Sequence, residues 1–386
     1  MFITGLEYLH PPSKQNIKVI KLLFSGNFAP LADAADVPDA DCSEIREIAD
    51  ECDLHVTNLE CPLTSAEMPL KKTGPSVKAG LHAVELLNKA GVRLACLANN
   101  HIFDYGEKGL KDTIDICSLN GIDVVGITNT DNKDLRTAIR EINGIRIGFL
   151  NYCEHEFSVR DRGQPGACGF DHADAYYDIR ALKMEVDRVI VIYHGGNEYY
   201  PLPRPDLKRD FHFLADIGAD AVIGHHTHVV SGIENYGGKP LVYSLGNFFF
   251  PSEGEPESWN TGALCRLTIE DTLKAELIPV LQCRGNLRVE RLTGNDADAV
   301  YAEIDGISAI IADDNELMMR WNHYTSTTGT GLANQILYPT KADKLMRRIP
   351  WLRRYVSNPD RLRSFINVLR CKSLEQLLIG NLKSRQ

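Results

Sequence analysis

The stretch DAVIGHHTHVV, residues 220–230, sets His225, His226 and His228 within four residues, directly after an apolar run. Imidazole can both ligate a divalent ion and move a proton near neutral pH. Taken alone, the triplet fits equally well a strand end at which one imidazole is buried and two are solvated. Other expected strand ends repeat the pattern. Asn27 follows the first such run, Asn58 and Glu60 the second, and Asn99, Asn100 and His101 the third, with Asp104 just beyond. His194 and Glu198 follow RVIVIY in HGGNE. In α/β domains ligands bind beyond the carboxyl ends of strands, so these residues fall along one edge. A carboxylate can bridge two divalent ions while imidazoles and Asn carbonyls complete their shells. Two ions about 3.5–4 Å apart can then clamp a phosphoryl group while one activates water. Singly, each residue has an ordinary explanation: Asn and Glu cap helices and turns, and a lone His such as His194 is commonly a hydrogen-bonded core residue. Together they point to a metal centre.

The elements that must position them alternate through the first 285 residues, short β-rich runs with helical patterns, which predicts a layered α/β domain. IKVIKLLFSG, LHVTNLE, VRLACLANN, IDVVGI, RVIVIYH and DAVIGHH read as strands. SEIREIADEC, capped by Asp41 or Ser43, LHAVELLNKAG, GEKGLKDTIDICSLNG, ADAYYDIRALKMEVD and RPDLKRDFHFLADIG read as helices. Asn143-Gly144 between two alternating runs signals a hairpin. KPLVYSLGNFFF, GALCRLTIED and KAELIPVLQ close the body as strands. From about residue 295 the pattern turns helical, so we expect one domain over 1–290 and a helical, basic region over 291–386.

Composition narrows the class. Of 386 residues, 44% are hydrophobic and 24% charged, which fits a soluble globular protein. The start, MFITGLEYLHPPSKQNIK, has no basic stretch leading into a sustained apolar one, and no later run is long enough to span a membrane, so a cytoplasmic location is expected. Ten cysteines without a C-x-x-C pair fit reduced thiols. The net charge is −10, but residues 341–386 hold twelve Lys or Arg against three Asp or Glu. The tail is therefore +9 and the remainder −19. Such a tail suits docking on the acidic body or a peripheral contact with an anionic membrane. Nucleic acid is not expected as a partner, because the body is acidic and has no aromatic-interleaved basic face.

NLECPLT, LANNHIFDYGEKGL, HGGNEY and GADAVIGHHTHVVSGIENYGGKPLVYSLGNFFF, in this order and spacing, resemble the CapA/PgsA family of poly-γ-glutamate capsule synthesis proteins, within the calcineurin-like metallophosphoesterase superfamily. The resemblance covers roughly residues 17–255. It implies a metallophosphoesterase-like layered β-sandwich flanked by helices, here with a C-terminal helical extension, and a site for one or two divalent ions (Mn, Zn or Fe). It would make Asn100 and His194 ligands of one ion and His228 of the other. Glu60 would take the bridging carboxylate's place, His226 would complete the shell, and His101 with Asp104 would serve the leaving group. Asn58, Asn99, Glu198, His225 and Asn247 would support substrate or ligands. Two positions depart from the family pattern. Asn27 stands where a ligating Asp is usual, with Asp33 or Asp36 as acids that would have to reach back. Gly195 replaces an aromatic residue and would widen the pocket.

Two functions follow as expectations. One is a metal-dependent hydrolase of capsule or surface-polymer synthesis, acting on a phosphoester or amide of an anionic small molecule or polymer. The other is a non-catalytic component that assembles with other polymer-biosynthesis proteins and keeps a degenerate site.

Overall fold

The computed structural model describes residues 19–31, 39–72, 74–130, 133–161, 163–337, 348–350 and 358. The N-terminal segment, Asp33 and Asp36, and all but four residues of the basic tail lie outside these, and with them the contacts expected of that tail.

Two sheets carry the body. The first runs Val289–Arg291, Leu273–Gln282, Thr261–Ile269, Ile20–Phe28, Leu54–Leu59, Leu94–Cys96 and Asp123–Val125, with Asn247–Phe249 also paired to Ile20–Phe28. The second runs Ile233–Tyr236, Lys239–Val242, Ala221–His225, Arg188–His194, Ile145–Cys153 and Thr137–Ile142. Alternation along each strand decides what each face buries. Leu22 and Phe24 join Val56, Phe149, Ile190, Ile192 and Ile223 in an apolar layer fed by both sheets. Leu23 belongs to the other cluster, with Ile45 and Ile48 of helix Ser43–Asp50. On the second sheet Val191, Tyr193 and Val222 share that cluster with Phe211 and Leu214 of helix Pro205–Ile217. The result is the expected layered sandwich with helices outside.

The strands that lead to the expected site residues are parallel. Ile20–Phe28 pairs parallel with Leu54–Leu59 and that strand with Leu94–Cys96, while Ile145–Cys153, Arg188–His194 and Ala221–His225 do the same in the other sheet. Asn27 thus stands opposite Asn58, and His194 opposite His225. Asn151 stitches the sheets beneath that edge, accepting Ala98 N–H at 2.6 Å and donating to Ile192 O.

Local expectations largely hold. Asn143 and Gly144 adopt φ of 54° and 83° in the hairpin between Thr137–Ile142 and Ile145–Cys153. Helix Ser43–Asp50 begins with Asp41 Oδ1 accepting the Ser43 N–H at 2.9 Å. Several expected elements are shorter or divided, among them three that frame the site. LHAVELLNKAG is a turn of 3-10 helix, Leu81–Ala83, followed by Val84–Lys89. VRLACLANN is extended only at Leu94–Cys96, because Asn99 draws the chain into a turn. KPLVYSLGNFFF divides into Lys239–Val242 of the second sheet and Asn247–Phe249 of the first. The crossing is made at Gly246, with φ of 65°, against Gly26. A Cβ on Gly26 would lie 2.3 Å from Gly246 O, so the two strand ends meet only because residue 26 carries no side chain.

Contacts divide the chain between Leu317 and Met318. The helix Gly294–Ala312 belongs to the first unit, where Ser308 Oγ accepts Ile233 N–H and Lys208 Nζ donates to Ile311 O. The second unit holds the end of helix Asp314–Leu337. Among the described residues no helix is long and apolar enough to cross a membrane, and nine cysteines are free.

Candidate metal centre

The parallel strand ends bring most of the expected residues into one buried constellation. His194 lies at its middle. Its Nε2 is 3.0 Å from Asn100 Oδ1, 3.1 Å from His226 Nδ1 and 3.7 Å from Glu60 Oε1. His228 Nε2 is 3.7 Å from the same Glu60 oxygen. Ligand atoms of Glu60, His194 and His226 lie within 4.8 Å of one another. Glu60, His194, His226 and His228 are all buried.

The other ring nitrogens of His194 and His228 face amides. His194 Nδ1 is 3.2 Å from Asn58 Nδ2, and His228 Nδ1 is 3.0 Å from Asn247 Oδ1 and 3.2 Å from Asn27 Nδ2. Asn27 Oδ1 accepts from Asn58 Nδ2 at 3.0 Å, and Asn247 Nδ2 donates to Trp259 O. Such partners fix the orientation of a ligating imidazole. Trp259 also packs against the His228 ring at 4.6 Å and against Tyr199, so an aromatic wall closes this side. His226 and His228 are held at φ of 99° and 61°, conformations a non-glycine residue keeps only under local constraint.

Electrostatics favour a cation. Glu60 is fully buried, yet among the described residues neither carboxylate oxygen has a hydrogen-bond partner, and Asn58 Oδ1 is likewise orphaned. An unpaired buried carboxylate costs several kcal/mol. Burial, reinforced by Glu198, Glu156 and Asp104, pushes its carboxyl well above the usual carboxylate range. Burial acts on the imidazoles in the opposite sense, lowering His226 to about 3 and His228 to about 4, and His194 well below its ordinary value. Neutral imidazoles around a carboxylate without donors are a donor set that suits a divalent ion.

His101 and Asp104 form an adjoining cluster. His101 Nδ1 is 2.7 Å from Asp104 Oδ2, which also accepts the Val77 N–H. Lys72, itself buried, pairs with the other Asp104 oxygen and lies 3.3 Å from His101 Nδ1. Asn99 has a different place from its neighbours: it donates to Leu59 O and accepts from His101 and Ile102 N–H, so it shapes the turn that presents Asn100 and His101. His225 is buried, lowered by burial to about 3, with its Nδ1 unpartnered and its carbonyl accepting Gly195 N–H. Glu198 stands exposed at the rim.

Gly195 does not widen the pocket. A Cβ there would lie 2.5 Å from Glu154 Oε1, so the Glu154 side chain already occupies that space. Glu154, Glu156 and Lys72 went unnoticed in the sequence. The first two follow the strand Ile145–Cys153, and the strand-end rule applied to NYCEHEF finds them; Lys72 sits in an irregular loop that carries no such signal.

A family model described as bacterial capsule synthesis protein PGA_cap matches residues 29–252, more than half of the chain. The chain is 32% identical over 172 residues to the PGA biosynthesis protein CapA of Bacillus subtilis (strain 168), covering 44% of this chain and 45% of that protein. It is 30% identical over 234 residues to a probable polyglutamine synthesis accessory protein of Mycobacterium tuberculosis (strain ATCC 25618 / H37Rv), covering 56% and 62%. The chain thus spans about half the length of the curated relatives it matches. Among solved structures, a phosphatase from Mycoplasma pneumoniae aligns with a TM-score of 0.45 at 18% identity, over 69% of this chain and 94% of that one. The matched residues run from the strand end after Phe28 to just past the SLGNF block and take in Glu60, Asn100, His194, His226 and His228, and on that match the chain belongs to the bacterial capsule synthesis protein family PGA_cap.

Proposed function

We propose that the chain is a metal-dependent hydrolase of capsule or surface-polymer synthesis, of the poly-γ-glutamate type, acting on a phosphoester or amide of an anionic substrate. The observation that carries this reading is Glu60: a fully buried carboxylate with no hydrogen-bond donor among the described residues, set among imidazoles that burial keeps neutral. Glu60, Asn100, His194 and His226 would hold a divalent ion, with His228 Nε2 facing the same Glu60 oxygen as His194. An ion there supplies Lewis-acid charge and an activated water.

The chain's own residues then have distinct tasks. Asp104 holds His101 at Nδ1, which leaves Nε2 to pass a proton to the departing group. Lys72 pairs with one oxygen of the buried Asp104 carboxylate while the other holds the His101 imidazole in place. Trp259 and Phe250 shield His228 from water.

A second reading, an assembly component with a degenerate site, draws support from Asn27. Its carbonyl is engaged by Asn58 and its NH2 faces His228, so among the described residues that side has no carboxylate besides Glu60. The test is hydrolysis of a p-nitrophenyl phosphodiester and of γ-glutamyl p-nitroanilide with Mn²⁺ or Zn²⁺. The hydrolase reading expects turnover of one of them that His101→Ala reduces about 10²–10⁴-fold. Metal uptake without turnover of any ester or amide favours the assembly role.

A further inference from the structure

The segment after the strand Ile145–Cys153 brings a carboxylate to the centre. His226 Nδ1 is the nitrogen that faces His194 Nε2, at 3.1 Å. The opposite nitrogen, Nε2, has Glu156 Oε1 at 4.0 Å. Among the described residues Glu156 has no Lys or Arg within ion-pair distance. Its position is anchored two residues earlier. Glu154 accepts the Gly196 N–H at 2.9 Å and pairs with Arg204 at 2.7 Å, and its carboxylate fills the space that a Cβ on residue 195 would need. The Glu156 N–H then donates to Glu154 O at 2.9 Å. Independently, the buried and unpartnered Glu60 oxygens, with His194 and His226 beside them, mark the place as one built for a cation.

We infer that Glu156 is the carboxylate partner of His226, a positioning residue that takes the Nε2–H and so keeps Nδ1 free of a proton and aimed at the metal. The glycine at 195 makes room for the Glu154 anchor that carries it. Ligating imidazoles almost always give their second N–H to a carboxylate, carbonyl or water. A shift of about 1 Å at the Glu156 tip converts the present separation into a hydrogen bond. The partly exposed side chain has the freedom to make it.

This inference rests on the metal reading above, and its test reads affinity instead of turnover: Mn²⁺ titrated into the metal-free full chain, in competition with a chelating dye. Glu156→Ala is expected to weaken Mn²⁺ binding about 10–100-fold. Glu156→Gln, which keeps an acceptor oxygen, should lose less. Gly195→Ala, which displaces the Glu154 carboxylate, should act in the same direction as Glu156→Ala. Glu198→Ala, which removes another charge acting on Glu60 but none within ion-pair distance of His226, should cost less than Glu156→Ala. Binding by Glu156→Ala within about twofold of the parent chain overturns the inference, since the loss of such a partner is worth at least tenfold. Equal losses from Glu156→Ala and Glu198→Ala also overturn it, because they reduce Glu156 to one charge among several. A parent chain that takes up no Mn²⁺ overturns the metal reading itself, and this inference with it; that result is distinguishable because no variant then differs from the parent.

Discussion

Asn27→Asp separates a weakened metal centre from a fully built one. Asn27 is completely buried, its Oδ1 accepts from Asn58, and its Nδ2 lies 3.2 Å from His228 Nδ1 and 3.4 Å from Asn247 Oδ1. Aspartate replaces that NH2 by a charged oxygen facing the Asn247 oxygen. Without metal, one more carboxylate is buried near Glu60, and the cost is several kcal/mol. With a dication about 4 Å away, the attraction at an effective dielectric near 20 is about 8 kcal/mol, twice the figure for two unit charges. Subtracting several kcal/mol for desolvation leaves a net gain of order 1–3 kcal/mol, or about five- to a hundredfold in affinity. The assay is Mn²⁺ calorimetry on chelator-treated protein, paired with urea unfolding in the absence of metal. The variant should bind more tightly, approach two equivalents and be less stable when empty. Unchanged affinity together with unchanged metal-free stability would refute the reasoning, because a charge placed at this site cannot be silent in both. A parent chain that already holds two tight ions would refute it as well.

Three further outcomes follow from particular contacts. Lys72→Met leaves the buried Asp104 carboxylate without its cation and should destabilise the protein by about 3–5 kcal/mol in urea unfolding, whereas a loss under about 1 kcal/mol would show that the pair contributes little to stability. Gly26→Ala puts a methyl 2.3 Å from Gly246 O and should cost at least about 1–3 kcal/mol in thermal or urea unfolding while disturbing the Asn247–His228 contact; a fully stable variant with unchanged metal uptake would show that the strands part easily. For pH, burial lowers His55 from 6.5 to about 4, so between those values the unfolded chain binds the extra proton and stability falls as pH falls, levelling near pH 4. That difference is worth about 3 kcal/mol at most, to which the other buried histidines of the metal-free chain add in the same direction. Urea midpoints that do not move from pH 7 to pH 5 would contradict this.

The site was largely legible because parallel strands deliver their carboxyl ends to one edge, so an apolar run followed by Asn, Glu or His is a positional statement. Asn58, Glu60, Asn100 and His194 were readable on that ground, and His226 and His228 from the triplet. The rule does not say which way a side chain points. Asn99 obeys it and yet turns back to hold Leu59 O and the backbone of His101. The switch between sheets in KPLVYSLGNFFF was hidden because both halves are apolar, and only the contact of Gly26 with Gly246 reveals it. Gly195 misled for a related reason: a missing side chain reads as space, but the space belongs to Glu154, whose proximity is set by the neighbouring strand. Lys72 shares no element with Asp104, so their pairing depends on loop folding that no periodicity records.

The central claim is that strand ends from both sheets build one divalent-metal centre around Glu60. It is tested most directly by elemental analysis of the full chain, as purified without added metal and again after equilibration with Mn²⁺ and removal of free ion, beside Glu60→Gln and His226→Ala. Cys61→Ala, another buried substitution next to the centre but at an unligating side chain, serves as the control. We expect at least one equivalent of divalent metal in the parent chain and in Cys61→Ala, and little or none in Glu60→Gln and His226→Ala. No bound metal in the parent after loading, or equal metal in all four proteins, would contradict the account.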